Sequence, residues 1–113
     1  DIIEKLYIAA ENMFKKIKKF KINSKTILAI KINSKILFII NFHKTFYKIS
    51  DYSILKKNNY LLMDLDLRLL KKILDGPRFA HWDNADIGSH IKYTRIPNKY
   101  ERAIHFAVNF LYC

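Results

Sequence analysis

The side chains best suited to chemistry are gathered in one stretch, residues 76–91, which reads Gly-Pro-Arg-Phe-Ala-His-Trp-Asp-Asn-Ala-Asp-Ile-Gly-Ser-His-Ile. It holds the one Trp, both Gly and two of the four His of the chain. Loops that gather such groups on a rigid scaffold are where binding and reaction concentrate. His81, Asp83, Asp86 and His90 supply the imidazole nitrogens and carboxylate oxygens that metals take. Their spacing matches no zinc or iron pattern, and no HxHxDH, HExxH or CxxC run occurs. Ser89 stands beside His90, but a nucleophilic triad is defined by converging geometry, which neighbours along a chain do not supply. The chemistry left is recognition. His81, Trp82, Asp83, Asn84, Asp86 and His90 are therefore candidate substrate- or partner-binding residues, with no residue assigned to catalysis or to metal. A structural reading uses the same residues: Trp82 plugs the core, Asn84 and Asp86 accept from backbone amides, and Gly88 permits a tight turn.

Positioning that loop requires a scaffold, and the apolar pattern outlines one. Residues 2–20 place Ile2, Ile3, Leu6, Ala10, Met13, Phe14, Ile17 and Phe20 on one helical stripe, with Lys15, Lys16, Lys18 and Lys19 mostly off it. Such a helix fits either an anionic membrane surface or a sheet that leaves the lysines in water, and we expect the sheet. Ile27, Leu28, Ile30 and Ile32 lead to a turn at Asn33-Ser34. A β-branched and aromatic run follows over residues 36–42, and a third strand is marked by Phe46, Tyr47 and Ile49. Residues 50–59 are polar and read as a loop, and residues 60–65 as an extended apolar segment. Residues 67–74 return to helical spacing, with Asp66 as N-cap and Gly76-Pro77 as the stop. Residues 91–96 are strand-like. Pro97-Asn98 breaks the chain before a last amphipathic helix marked by Tyr100, Ala103, Ile104, Ala107, Phe110 and Leu111. The pentapeptide Lys-Ile-Asn-Ser-Lys occurs at 21–25 and again at 31–35, which similar turns in a meander explain. The expected fold is α+β: a small antiparallel β-meander packed against three α-helices.

The 113 residues suffice for one domain with a modest core. Half are apolar, with two Gly and two Pro, which excludes disordered and collagen-like classes. No apolar run approaches the roughly 18 to 20 residues that span a bilayer. One cysteine, Cys113, points to a reducing compartment and a cytoplasmic location. The net charge of +11 is uneven: residues 1–60 carry 13 Lys against 4 acids, residues 61–113 carry 8 bases against 6 acids. A positive field favours anionic partners. All four Arg lie in the second half, however, and the Lys, Ile and Asn mixture of the first half is what AT-rich codons produce. Asp1 opens directly into helix pattern without an initiator Met. We therefore expect the chain to be a C-terminal portion, one accessory domain over residues 1–113, of a larger protein.

Residues 79–91, Phe-Ala-His-Trp-Asp-Asn-Ala-Asp-Ile-Gly-Ser-His-Ile, followed by Arg95-Ile-Pro-Asn-Lys-Tyr-Glu-Arg102, carry a resemblance. Together they resemble the C-terminal end of metallo-β-lactamase-fold hydrolases of the UlaG-like and sugar-nucleotide hydroxylase-like branch. The usual form there is HWNNAEIGSHI followed by RxPNxYER. Asp83 stands here for the first Asn and Asp86 for the Glu. The likeness covers roughly residues 67–113. Residues 30–42 and 64–76 are similar in layout to sterol-carrier-like domains, which also place a meander ahead of a short helix ending in Gly.

The first resemblance implies a metal-dependent hydrolase whose HxHxDH motif and divalent metal lie in an upstream catalytic domain of the same polypeptide. No cofactor is expected in this chain, whose direct role would be substrate or partner binding. The second implies an apolar ligand between sheet and helices, in a cavity lined by Phe38, Ile40, Phe42, Leu62 and Leu69. A third reading, a basic nucleic-acid module, needs the lysines of residues 15–35 to converge beside exposed Phe46 or Tyr47. It ranks last, because no binding motif accompanies the lysines.

Overall fold

The computed structural model describes residues 2–33, 35–76, 91–97 and 101–113. Its centre is a five-stranded sheet: β1 (Ile27–Ile32), β2 (Ile36–Asn41), β3 (Phe46–Ser50), β4 (Tyr60–Leu65) and β5 (Lys92–Ile96), in the spatial order β3-β2-β1-β4-β5. The described α-helices are α1 (Ile2–Lys19), α2 (Leu67–Leu74) and α3 (Arg102–Val108). The fold is α+β, as expected. β1, β2 and β3 form the antiparallel meander, with Ile30 opposite Phe38 and Ile40 opposite Tyr47. The sheet as a whole is mixed rather than purely antiparallel, because β4 lies parallel to β1, with Ile30 beside Met63, and β5 returns antiparallel to β4.

The parallel pair explains residues 50–59, expected as a plain loop. A chain leaving β3 at one edge must cross the sheet to reach the far side of β1. It does so over the back face as a 3-10 helix, Tyr52–Lys57, whose N-cap Asp51 accepts the Ser53 N–H at 3.0 Å. The Ser53 hydroxyl also donates to Asp51, and these two bonds hold the Asp51 carboxyl below its usual range. Leu55 comes down from this helix onto Ile27, Ala29, Leu37 and Ile39, with Phe46, Ile54, Tyr60 and Leu62 at the margin.

Period-two alternation gives the sheet its other face. Leu28, Ile30, Phe38, Ile40, Leu61 and Met63 point into the main core, against Leu6, Ala10, Met13 and Ile17 of α1, Leu70 and Leu74 of α2, and Ile104 and Val108 of α3. The stripe read along residues 2–20 is thus a packing stripe as far as Ile17, whereas Phe20 at its end is exposed. Aromatic contacts fix α1 over the meander: Tyr7 meets Phe38 edge-on at 5.3 Å and Phe14 stacks on Tyr47 at 5.6 Å.

Local signals end these helices as their residues dictate. Lys21 takes φ 54° while Ile22 N–H reaches the Ile17 carbonyl at 3.0 Å and Lys21 N–H reaches that of Lys18 at 3.2 Å. That pair of bonds closes α1 with a left-handed residue. Asp66 caps α2 by accepting from Arg68 N–H at 2.6 Å, and Gly76 follows at φ 118°. The C-terminal residues close the helical layer: Cys113 N–H donates to Leu74 O at 2.8 Å and Lys5 pairs with Asp75 at 2.8 Å.

Candidate functional site

The six residues singled out in the loop, His81, Trp82, Asp83, Asn84, Asp86 and His90, lie outside the described residues. So does the placement of Trp82 as a core plug. Among the described residues no group of three or more His, Cys, Asp or Glu side chains is gathered as a metal site would require.

What the described residues do form is a polar pocket of about 560 Å³ at one end of the sheet. Topology builds it. β1 and β4 begin at this end, whereas β2 and β5 finish there, so Ile27 faces Asn41 and Tyr60 faces Ile96. The segments entering and leaving these strands therefore meet: 23–26 before β1, His43 in the β2–β3 turn, Asn59 before β4, 95–97 closing β5, and the first turns of α3.

Two polar pairs organise it. Ser24, only 7% exposed, donates its hydroxyl to Glu101 Oε1 at 2.6 Å and accepts the Thr26 N–H at 3.1 Å. The N-cap of α3 is thereby tied to the segment that leads into β1, the strand that lies centrally in the sheet. Opposite, Arg95 Nη2 lies 3.3 Å from His105 Nε2. A guanidinium only donates, so Nε2 of His105 is the acceptor of this pair. Arg95 Cζ also sits 5.8 Å from the Tyr93 ring centroid, and Tyr93 and His105 rings are 6.0 Å apart. The guanidinium is thus held beside the Tyr93 ring and hydrogen-bonded to the His105 imidazole, and its planar fork is what makes arginine a geometric reader of carboxylates and phosphates. With Lys25 and His43 also on the wall, Glu101 is the one acidic side chain among its described lining residues.

Arg95 and Glu101 fall within the stretch Arg95-Ile-Pro-Asn-Lys-Tyr-Glu-Arg102 set apart by its pattern, but neither was among the candidate site residues, and membership of that stretch is their one mark in the sequence. Ser24, His43 and His105 carried no such mark; they reach the pocket only through strand order. The two Lys-Ile-Asn-Ser-Lys copies separate here. The first supplies Asn23, Ser24 and Lys25 to the pocket, while the second runs from the end of β1 into the β1–β2 turn, where Asn33 takes φ 51°.

The apolar cavity that a sterol-carrier-like reading asks for would need Phe38, Ile40, Phe42, Leu62 and Leu69 around one space. Phe38 and Ile40 are fully buried in the helix-side core, whereas Leu62 packs on the back face. Phe46 and Tyr47, the aromatics a nucleic-acid reading would expose, are half-buried and packed on opposite faces of the sheet. No helix among the described residues is long and apolar enough to cross a membrane. No known protein family, curated protein or solved structure matches the chain.

Proposed function

We propose that this chain is a non-catalytic ligand-binding domain, the C-terminal accessory part of a metallo-β-lactamase-fold hydrolase, and that the polar pocket at the end of the sheet is where it binds. The observation that carries the reading is the convergence of Arg95 and Glu101, from the segment that resembles the hydrolase motif, with Ser24, Lys25 and His43 from distant parts of the chain. The favoured ligand is a small polar molecule bearing a carboxylate or phosphate. Arg95 and Lys25 meet the anionic group, and Glu101, held by Ser24, accepts from hydroxyls. Binding here would position a substrate or partner for chemistry carried out in the upstream domain, which holds the divalent metal. Cytoplasmic residence belongs to the same proposal and rests on the single cysteine.

Thermal shift with inorganic phosphate, citrate and a phosphosugar tests the pocket. At least one of them should raise the melting temperature of the chain and fail to do so for Arg95→Met. If all three leave it unmoved, or act equally on Arg95→Met, the assignment of the pocket is wrong. The parentage is tested separately by the reading frame upstream of Asp1. An HxHxDH motif there supports it, and a full frame without one removes it.

A further inference from the structure

We propose that the C-terminal end of α1 and the outer side of α3 form a docking face for an anionic lipid surface. Three phenylalanines meet there. Phe20 lies 5.6 Å from Phe106 and 5.7 Å from Phe110 between ring centroids, and Phe106 lies 5.4 Å from Phe110. Mutual ring packing of this kind is normally found in a core. Here Phe20 is 51% exposed and Phe106 41%. Phenylalanine has no polar atom to satisfy in water, so a cluster held in the open needs an apolar or interfacial partner.

Charge says which partner. Lys16 lies one helical turn before Phe20, Lys18 and Lys19 precede it, and Lys21 follows, all four exposed. Among the described residues none of the four is in an ion pair. From residue 12 to residue 50 the sequence contains no Asp or Glu. Aromatic side chains ringed by lysines are the composition of an interfacial anchor: the rings enter the headgroup boundary and the ammonium groups lie among lipid phosphates. Lysine is a mobile point charge suited to a diffuse anionic layer, unlike the planar fork of arginine that reads a single anion. Single-stranded nucleic acid, the other anionic polymer, binds by stacking bases on free ring faces. In this cluster Phe20 and Phe110 are already stacked on one another at 18°, and Phe106 meets both nearly perpendicular.

Two further features fit a membrane contact. The helix end is rigid, because the Ile22–Ile17 and Lys21–Lys18 backbone bonds lock the turn that carries Phe20. The face is also distinct from the pocket, since α3 presents Ile104 and His105 to the pocket and Phe106 to the cluster.

Co-sedimentation with vesicles decides the matter. The 113-residue chain should sediment with mixed phosphatidylcholine and phosphatidylserine vesicles and remain in solution with phosphatidylcholine alone. Phe20→Ser/Phe106→Ser, checked by its thermal melt to be folded, should weaken binding to the mixed vesicles by roughly tenfold or more. Lys19→Glu/Lys21→Glu should do the same, whereas Lys56→Glu/Lys57→Glu, an equal charge change on the opposite face of the sheet, should stay within about twofold. Equal losses from the two lysine pairs would reduce the effect to bulk charge and overturn the proposal. So would no binding to mixed vesicles, or unchanged binding by the phenylalanine variant. Tighter binding to a single-stranded oligonucleotide than to the vesicles, lost in Phe20→Ser, would put nucleic acid in place of lipid and overturn it equally.

Discussion

The Ser24 hydroxyl and the Glu101 carboxylate, 77 positions apart in the chain, are joined by a 2.6 Å hydrogen bond. It fastens the start of α3 to the approach of β1 and forms one wall of the pocket. A bond of this kind to a charged acceptor, partly withdrawn from water, is worth about 1–2 kcal/mol. Ser24→Ala should lower stability by about that amount, while Glu101→Gln, which keeps the acceptor oxygen, should cost less. In a double-mutant cycle with Ala at both positions, urea melts should return a coupling of about 1 kcal/mol. A coupling near zero would mean that the two side chains share a wall without supporting each other.

Lys21 and Gly76 both stand at positive φ, 54° and 118°, and opposite substitutions test them. A side chain at a left-handed helix end is a steric burden that glycine removes, so Lys21→Gly should raise stability by about 0.5–1 kcal/mol even though glycine has more freedom to lose on folding. A Cβ at Gly76 would meet no atom within 4 Å. Any cost of Gly76→Ala is then conformational alone, about 1–2 kcal/mol. Thermal melts of the two variants should shift in opposite directions.

Phe38 and Leu55 rank the two faces of the sheet. Phe38 is fully buried in the helix-side core and is braced edge-on by Tyr7. Phe38→Ala should cost about 3–5 kcal/mol, close to the whole stability of a small domain, and a natively dispersed NMR spectrum should be lost. Leu55 is 9% exposed and covers the back face from a short 3-10 helix of six residues. Leu55→Ala should cost about 2 kcal/mol and leave a folded protein. A reversed order would place the dominant core on the wrong side of the sheet.

Cys113 offers a reactivity test. Its Sγ lies 3.4 Å from the Lys5 carbonyl oxygen, and burial pushes the thiol above its ordinary range, against the smaller opposing effect of the Lys5 ammonium. The reactive species is the thiolate. Iodoacetamide at mildly alkaline pH should therefore alkylate Cys113 more slowly in the folded chain than in urea, with the gap closing as pH rises. Equal rates at every pH would show that the C-terminal residue does not hold this position.

Much of the scaffold was legible in the residues because each element obeys a local rule. The apolar stripe of α1, the cap at Asp66, the stop at Gly76 and the breaks at Asn33 and Pro97 rest on spacing or on turn chemistry within a few positions. What was not legible is set by partners distant in sequence. Nothing in the alternation of residues 60–65 states that β4 pairs parallel to β1, and without that pairing residues 50–59 have no sheet to cross. Ile54 and Leu55 then look like stray apolar residues in a polar loop. The pocket was hidden for the same reason. Arg95 and Glu101 sit in a stretch noted for its pattern but were not read as site residues, and Ser24 belongs to a pentapeptide that occurs twice, of which only the sheet distinguishes the copy that matters.

The central place of β1 has a consequence for how the chain is made. During synthesis β1, β2 and β3 emerge first and can pair at once, but the far edge of β1 stays open until residues 60–65 follow. That edge belongs to Ile-Leu-Ala-Ile-Lys-Ile, an apolar segment with one charge, the kind of strand that recruits another chain when left unpaired. A ribosome stalled between Ser50 and Tyr60 would thus display an adhesive half-sheet. Escape from such pairing depends on β4 arriving before a second nascent copy does.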